Sequence, residues 1–198
     1  MEYQQVTGSL NADRLAYNMD SCTEFKLPPN ESCDLDYTNL ALVFNYEPER
    51  LSVAMLDVGR YICKPYNIEH YSKFGEMSGS ILDPARHQEL SENLKLYLEV
   101  FNAGMRKKWS YQDALSYLRA VVLSGEASDS GMEEMRLALA SALPEYQDKF
   151  RMSLDSHFVG AFGAAQRARH IVQNPKFLSP SDPGYAPGNP GGHVHEEL

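Results

Sequence analysis

The stretch LRAVVLSGEASDSGMEEM (residues 118–135), with DSHFVGAFGAAQRAR (residues 155–169) further on, decides the fold. Val121, Val122 and Leu123 form a short apolar run, the mark of a strand buried on both faces. The turn Ser124-Gly125-Glu126-Ala127-Ser128 follows, and Ser128, Asp129 and Ser130 all offer caps for a helix beyond it. A strand that feeds a helix N-terminus through a tight glycine turn aims backbone N–H groups and a positive dipole end at one spot. Such an arrangement suits a nucleotide. The second stretch is a helix in which Gly160, Ala164 and Ala168 repeat every four residues, as do Ala161 and Ala165. That small face predicts close helix–sheet packing.

Upstream lies the clearest β region. Leu40 to Tyr46 is almost wholly apolar, Leu51 to Leu56 mostly so, and Tyr61 to Tyr66 reads as a third strand. Glu47-Pro48-Glu49-Arg50 and Asp57 to Arg60 are the turns of an antiparallel meander. Residues 67–82 read as irregular. Asp83-Pro84 then opens a long helix, in which Leu90, Leu94, Tyr97, Phe101 and Met105 form one apolar stripe. Ser110 and Asp113 suggest a capping box for a short helix, Tyr111 to Tyr117. Met132, Met135, Leu139 and Leu143 define a helix that Pro144 ends. A short helix, Ala12 to Met19, precedes the meander, after which residues 20–38 read as a surface excursion. Residues 1–174 therefore read as one α/β unit, and the Pro- and Gly-rich residues 175–198 as a disordered tail.

Composition narrows the function. The chain has 198 residues, 43% of them hydrophobic, enough for one real core. A net charge of −9 argues against nucleic acid as a partner, because phosphate neutralisation needs clustered cations. The one basic cluster, Arg106-Lys107-Lys108, falls where a helix C-terminus favours positive charge. Cys22, Cys33 and Cys63 show no metal spacing and form no even disulfide set, which points to a reducing compartment. With neither a signal-peptide pattern nor a membrane-length apolar run, the expected location is cytoplasmic. His70, His87, His157 and His170 are scattered, and Asp155 beside His157 reads as a cap or loop residue rather than an acid–base pair.

Four segments, in order, resemble the C-terminal half of the ATPase domain shared by actin, sugar kinases and the seventy-kilodalton heat-shock chaperones. ADRLAYNMD (residues 12–20) is similar to the chaperone helix ending in Ala-Tyr-Gly-Leu-Asp. LVFNYEPERLSVAML (residues 42–56) is similar to the second phosphate hairpin, usually Asp-x-Gly-Gly-Gly-Thr followed by a strand. AVVLSGEAS (residues 120–128) resembles the adenosine motif, and FVGAFGAAQRA (residues 158–168) the final helix with its Gly-Ala-Ala core. The match is nearest in character to divergent chaperone-like proteins of filamentous fungi. It implies a single lobe of a ribonuclease H-like, actin-type ATPase fold: a β-meander plus a parallel strand, with flanking helices.

The departures from that family set the functional expectation. The first phosphate loop has no counterpart ahead of residue 12. In the second, the family's Asp becomes Asn45 and its glycines fall at Glu47, Pro48 and Glu49, leaving Arg50 as the one cation. A carboxylate at contact distance repels a phosphate by ~1–4 kcal/mol, and proline removes a donor. The adenosine turn keeps Gly125, Ala127 and Ser128 but has Glu126 in place of a second glycine. These residues, with Asn45 and Arg50, are the candidate nucleotide site. The expectation is a non-catalytic, chaperone-like binding or accessory protein without a cofactor or catalytic metal. It would meet a protein partner, or itself, through the exposed cleft face, and an accessory role in a fungal biosynthetic pathway fits that picture. The alternative is an ATPase half whose first phosphate loop comes from another chain or a missing upstream exon, in which case ATP is the ligand.

Overall fold

The computed structural model of the protein describes residues 12–19, 25, 34, 38–58, 63–109 and 112–173. Its centre is a five-stranded mixed sheet: β1 (Leu40–Tyr46), β2 (Leu51–Val58), β3 (Cys63–Tyr71), β4 (Leu118–Gly125) and β5 (Phe150–Arg151), in the order β3-β2-β1-β4-β5. The first three strands are antiparallel neighbours, whereas β4 runs parallel to β1 and β5 parallel to β4. A helical segment over residues 12–16 (α1) precedes the sheet. Helix α2 (Pro84–Trp109) links β3 to β4, α3 (Asp129–Ala142) links β4 to β5, and α4 (Val159–Gln173) follows β5.

Side-chain size alternates along the central strands and sets the two layers. On one face Leu40, Leu42, Phe44 and Tyr46 of β1 join Val53 and Met55 of β2 and Val121 and Leu123 of β4. Against them packs the predicted stripe of α2, all five residues buried, together with Met132, Met135 and Leu139 of α3. Each Leu, Met or Phe so buried contributes about 1.5–3 kcal/mol. The opposite face carries smaller residues: Ala41, Val43, Ala54, Ala120 and Val122. Ala41 and Ala120 are register partners there. The short side chains let α1 and the turn after it, through Ala16, Tyr17 and Met19, and α4, through Val159, come close to the sheet.

The caps follow local chemistry. Asp83 accepts hydrogen bonds from the N–H groups of Ala85 and Arg86 (3.1 and 3.2 Å) and starts α2, whose last turn holds Arg106, Lys107 and Lys108. Ser128 caps α3 by accepting from Gly131 N–H at 3.1 Å.

Four expectations change. The third strand continues five residues beyond Tyr66, because 67–71 pair with β2 from Met55 to Leu51. As an edge strand it tolerates the polar Asn67, Glu69 and His70, and Pro65 sits beside a register shift. The expected helix at Tyr111 to Tyr117 is a 3-10 turn, Ala114–Tyr117, capped by Asp113 itself through Leu115 N–H; residues 110 and 111 lie outside the described residues. β5 is an addition, too short to show as an apolar run. Finally, the small-residue seam of α4 does not meet the sheet: Ala161, Ala164, Ala165 and Ala168 are exposed and Gly160 is half-buried. The contact runs through Val159 and Gly163, one residue out of phase with the seam and so turned about 100° around the helix. A Cβ on Gly163 would lie 3.0 Å from Ala12 Cα and closer still to its carbonyl, so α1 and α4 touch backbone to backbone there. The tail, residues 175–198, lies outside the described residues.

Candidate functional site

Parallel strands β1 and β4 end side by side, with Tyr46 opposite Gly125 and Asn45 opposite Ser124. In open α/β sheets ligands bind outside the carboxyl ends of such strands. Around these ends the fold gathers three loops: the 47–50 hairpin turn, the 125–128 turn, and two 3-10 turns at Ser72–Phe74 and Glu76–Ser78. Asn45, Arg50, Gly125, Glu126, Ala127 and Ser128, all selected from sequence, therefore border one place.

What they do there differs from a phosphate cradle. Gly125 has φ +141°, a conformation L side chains rarely adopt, and a Cβ on it would lie 2.7 Å from the Tyr46 carbonyl carbon. This turn folds back onto β1, so that the N–H groups of Glu126 and Ala127 both donate to the Tyr46 carbonyl, at 3.0 and 3.2 Å. Glu47 N–H donates to the Arg50 carbonyl, Glu76 N–H to the Glu47 carbonyl, and Met77 N–H to the Pro48 carbonyl. In the hairpin, Asn45 Nδ2 and Arg50 Nε each donate to the Glu47 carboxylate, at 2.9 and 2.7 Å. Asn45 and Arg50 thus serve the hairpin's own acid.

The N-terminus of α3 already holds an anion. Glu76 accepts from Ser128 N–H at 2.9 Å and from the Ser128 hydroxyl. The Ser128 hydroxyl and then its amide hold the Glu76 carboxyl below the usual carboxylate range. A Cβ on Gly131 would lie 2.8 Å from Glu76 Cδ, so the acid also fills the space beside the helix's first turn. Such a depressed carboxyl adds stability at pH above its unfolded value, and that contribution disappears as pH falls through its folded value. Glu76→Ala is expected to cost about 1 kcal/mol at pH 7, in line with the loss of a capping contact. Urea denaturation at pH 7 and pH 3.5 checks this, with the mutant's deficit shrinking at the lower pH.

His157 closes the far side. Its Nε2 donates to the Ala127 carbonyl at 2.6 Å, and Nδ1 donates to Asp155 Oδ1 at 3.1 Å. Both ring nitrogens face oxygen acceptors, and the Ala127 carbonyl, then Asp155, raise its pKa, which favours the protonated ring. Asp155 Oδ1 also accepts His157 N–H at 3.0 Å, the loop role expected of it. His70 bonds Ser52 across β2 and β3, and His87 Nε2 donates to the Ala138 carbonyl, both structural contacts.

Three participants were not selected from sequence: Glu76, His157 as a turn clamp, and Asp13. The last is buried on α1, where its carboxyl accepts a hydrogen bond from Ser124 Oγ at 3.0 Å, beneath the same strand end. Burial pushes Asp13 up to about 7, with Ser124 opposing. Among the described residues, no group of three or more His, Cys, Asp or Glu is placed to hold a metal ion. No described helix is long and apolar enough to cross a membrane. No protein-family model matches the chain, and no curated protein matches it.

Proposed function

We propose that this chain is a non-catalytic, chaperone-like lobe of the actin-type ATPase fold, acting as a binding or accessory protein rather than as an enzyme. One observation carries the reading: the donors that would receive a phosphate at the ends of β1 and β4 are engaged by the chain itself. Tyr46 O takes two of them, Glu76 takes those of Ser128, and Glu47 takes the side chains of Asn45 and Arg50. Phosphoryl transfer depends on positioning and charge stabilisation of the phosphate, for which this arrangement substitutes fixed carboxylates.

Support for the lobe comes from the strand order β3-β2-β1-β4-β5 with α2 and α3 in the connections. Further support comes from three positions in the resembling segments. Asn18, where the chaperone motif has glycine, has φ +49°. Gly125 keeps the glycine of the adenosine turn and a positive φ, and Gly163 of the Gly-Ala-Ala core sits at the tightest helix contact. An accessory role through the face at the strand ends follows from a site that is shaped but filled.

Calorimetric titration of ATP, with and without Mg²⁺, tests the proposal. The expected result is no saturable heat corresponding to a Kd tighter than ~10 μM, about −7 kcal/mol. Tighter, Mg²⁺-dependent binding would overturn it in favour of an ATPase half completed by another segment.

A further inference from the structure

Among the described side chains of helix α4, more apolar residues are exposed than buried. Val159 and Gly163 are its buried residues among those described. At 100° per residue, Phe158, Ala161, Phe162, Ala165, Ala168 and Val172 fall on one contiguous stripe, centred about 140° from the buried face. All six are exposed, Phe158 at 64%, Phe162 at 45% and Val172 at 79%. Phe158 is helical in its bonding, its carbonyl accepting Phe162 N–H at 2.8 Å. A 15-residue helix with so little burial is marginal in water, because helices of this length rely on a packed face.

We propose that this stripe is a homodimer interface, in which α4 pairs antiparallel with α4 of a second copy across a two-fold axis. The stripe is self-complementary in size and in charge. Its N-terminal half carries the rings, Phe158 and Phe162, and its C-terminal half is smaller, Ala165, Ala168 and Val172. Antiparallel pairing sets each copy's phenyl rings over the other's alanines, whereas parallel pairing would stack ring on ring. The same operation carries the exposed Arg169, which projects between Phe158 and Phe162 around the helix, towards the N-terminal end of the partner helix. There Asp155 and the fully exposed Asp129 both approach Nδ1 of His157, leaving that end net negative even with the imidazole protonated. A two-fold contact of this kind is closed and isologous. A single helix seam is at or below the ~1,200 Å² of a small specific interface, so the dimer dissociates on dilution. The apolar stripe adjoins the filled site only at its charged end, where Asp155 and Asp129 meet His157, and the pairing does not depend on how that site is read.

Sedimentation velocity on the full chain, from ~5 to ~500 μM, tests it, a range that brackets weak association. The expected species at high concentration has twice the 22.3 kDa chain mass. Phe162→Glu, at an exposed position, should leave the circular dichroism melt unchanged and weaken dimerisation more than tenfold; Ala165→Glu serves as a second variant should the first fail to fold. Arg169→Glu should weaken it in low salt, and Asp129→Lys in the same chain should restore it. A wild-type monomer throughout, as when another segment of the chain or a different protein covers the stripe, overturns the proposal. So does a dimer indifferent to Phe162→Glu, and a charge swap without rescue overturns the antiparallel arrangement.

Discussion

Replacing Gly125 with alanine is expected to destabilise the domain by more than ~3 kcal/mol, a large part of the ~5–15 kcal/mol typical of a whole domain. Two effects add. The residue sits at φ +141°, where a side chain is strained whatever the space. The new Cβ would also overlap the Tyr46 carbonyl, backbone of the central strand that cannot rotate away. Moving the turn outward would separate the N–H groups of Glu126 and Ala127 from Tyr46 O and leave a buried strand end unpaired. Urea denaturation measures the loss directly. A cost below ~1 kcal/mol would mean that the turn does not fold back onto β1.

The second large effect is a pH dependence centred on Asp13. Buried against Ser124, this carboxyl keeps its proton up to about pH 7 in the folded chain, against an ordinary value of 3.8. Between those values the folded state binds more protons than the unfolded one, so stability falls as pH rises across the window. The contribution is fully present below about pH 4 and lost above about pH 7, with a ceiling of about 4 kcal/mol from the size of the shift. Asp13→Asn keeps the shape and removes the charge. Its urea midpoint should come nearest to wild type at or below about pH 4 and exceed it at pH 8. Parallel curves for the two proteins across that range would show that Asp13 is not buried as described.

The two predictions differ in how far sequence reasoning reaches. Gly125 was legible, since a glycine between a buried strand and a cap sequence has few other reasons to be there. Strands β1 and β2 were legible for the same kind of reason: they are buried on both faces, so their composition alone marks them. The outer half of β3 was not, because an edge strand satisfies polar side chains in water and loses its apolar signature. The face of α4 was misjudged by one residue, since a helix with small residues at three adjacent angles offers several possible seams and only packing selects one. Asp13 and Ser124 are 111 residues apart, and Glu76 is 52 residues from the Ser128 it bonds. No local spacing announces such pairs. Glu47, Pro48 and Glu49 in the hairpin turn argue against a phosphate there, but Glu76, the acid that bonds Ser128 at the N-terminus of α3, lies in a stretch expected to be irregular. Its only local hint is a carboxylate between glycines in a turn.

The central claim is that Glu76 occupies the anion position at the N-terminus of α3. Carbon-13 NMR titration of the Glu76 side-chain carboxyl tests it most directly. Its midpoint should fall below the ordinary 4.5, and Ser128→Ala, which removes the leading cause of the shift, should move it back up. A midpoint at 4.5 in the wild-type protein, unchanged in the Ser128 variant, would place the carboxylate in solvent and leave the helix N-terminus open to a ligand.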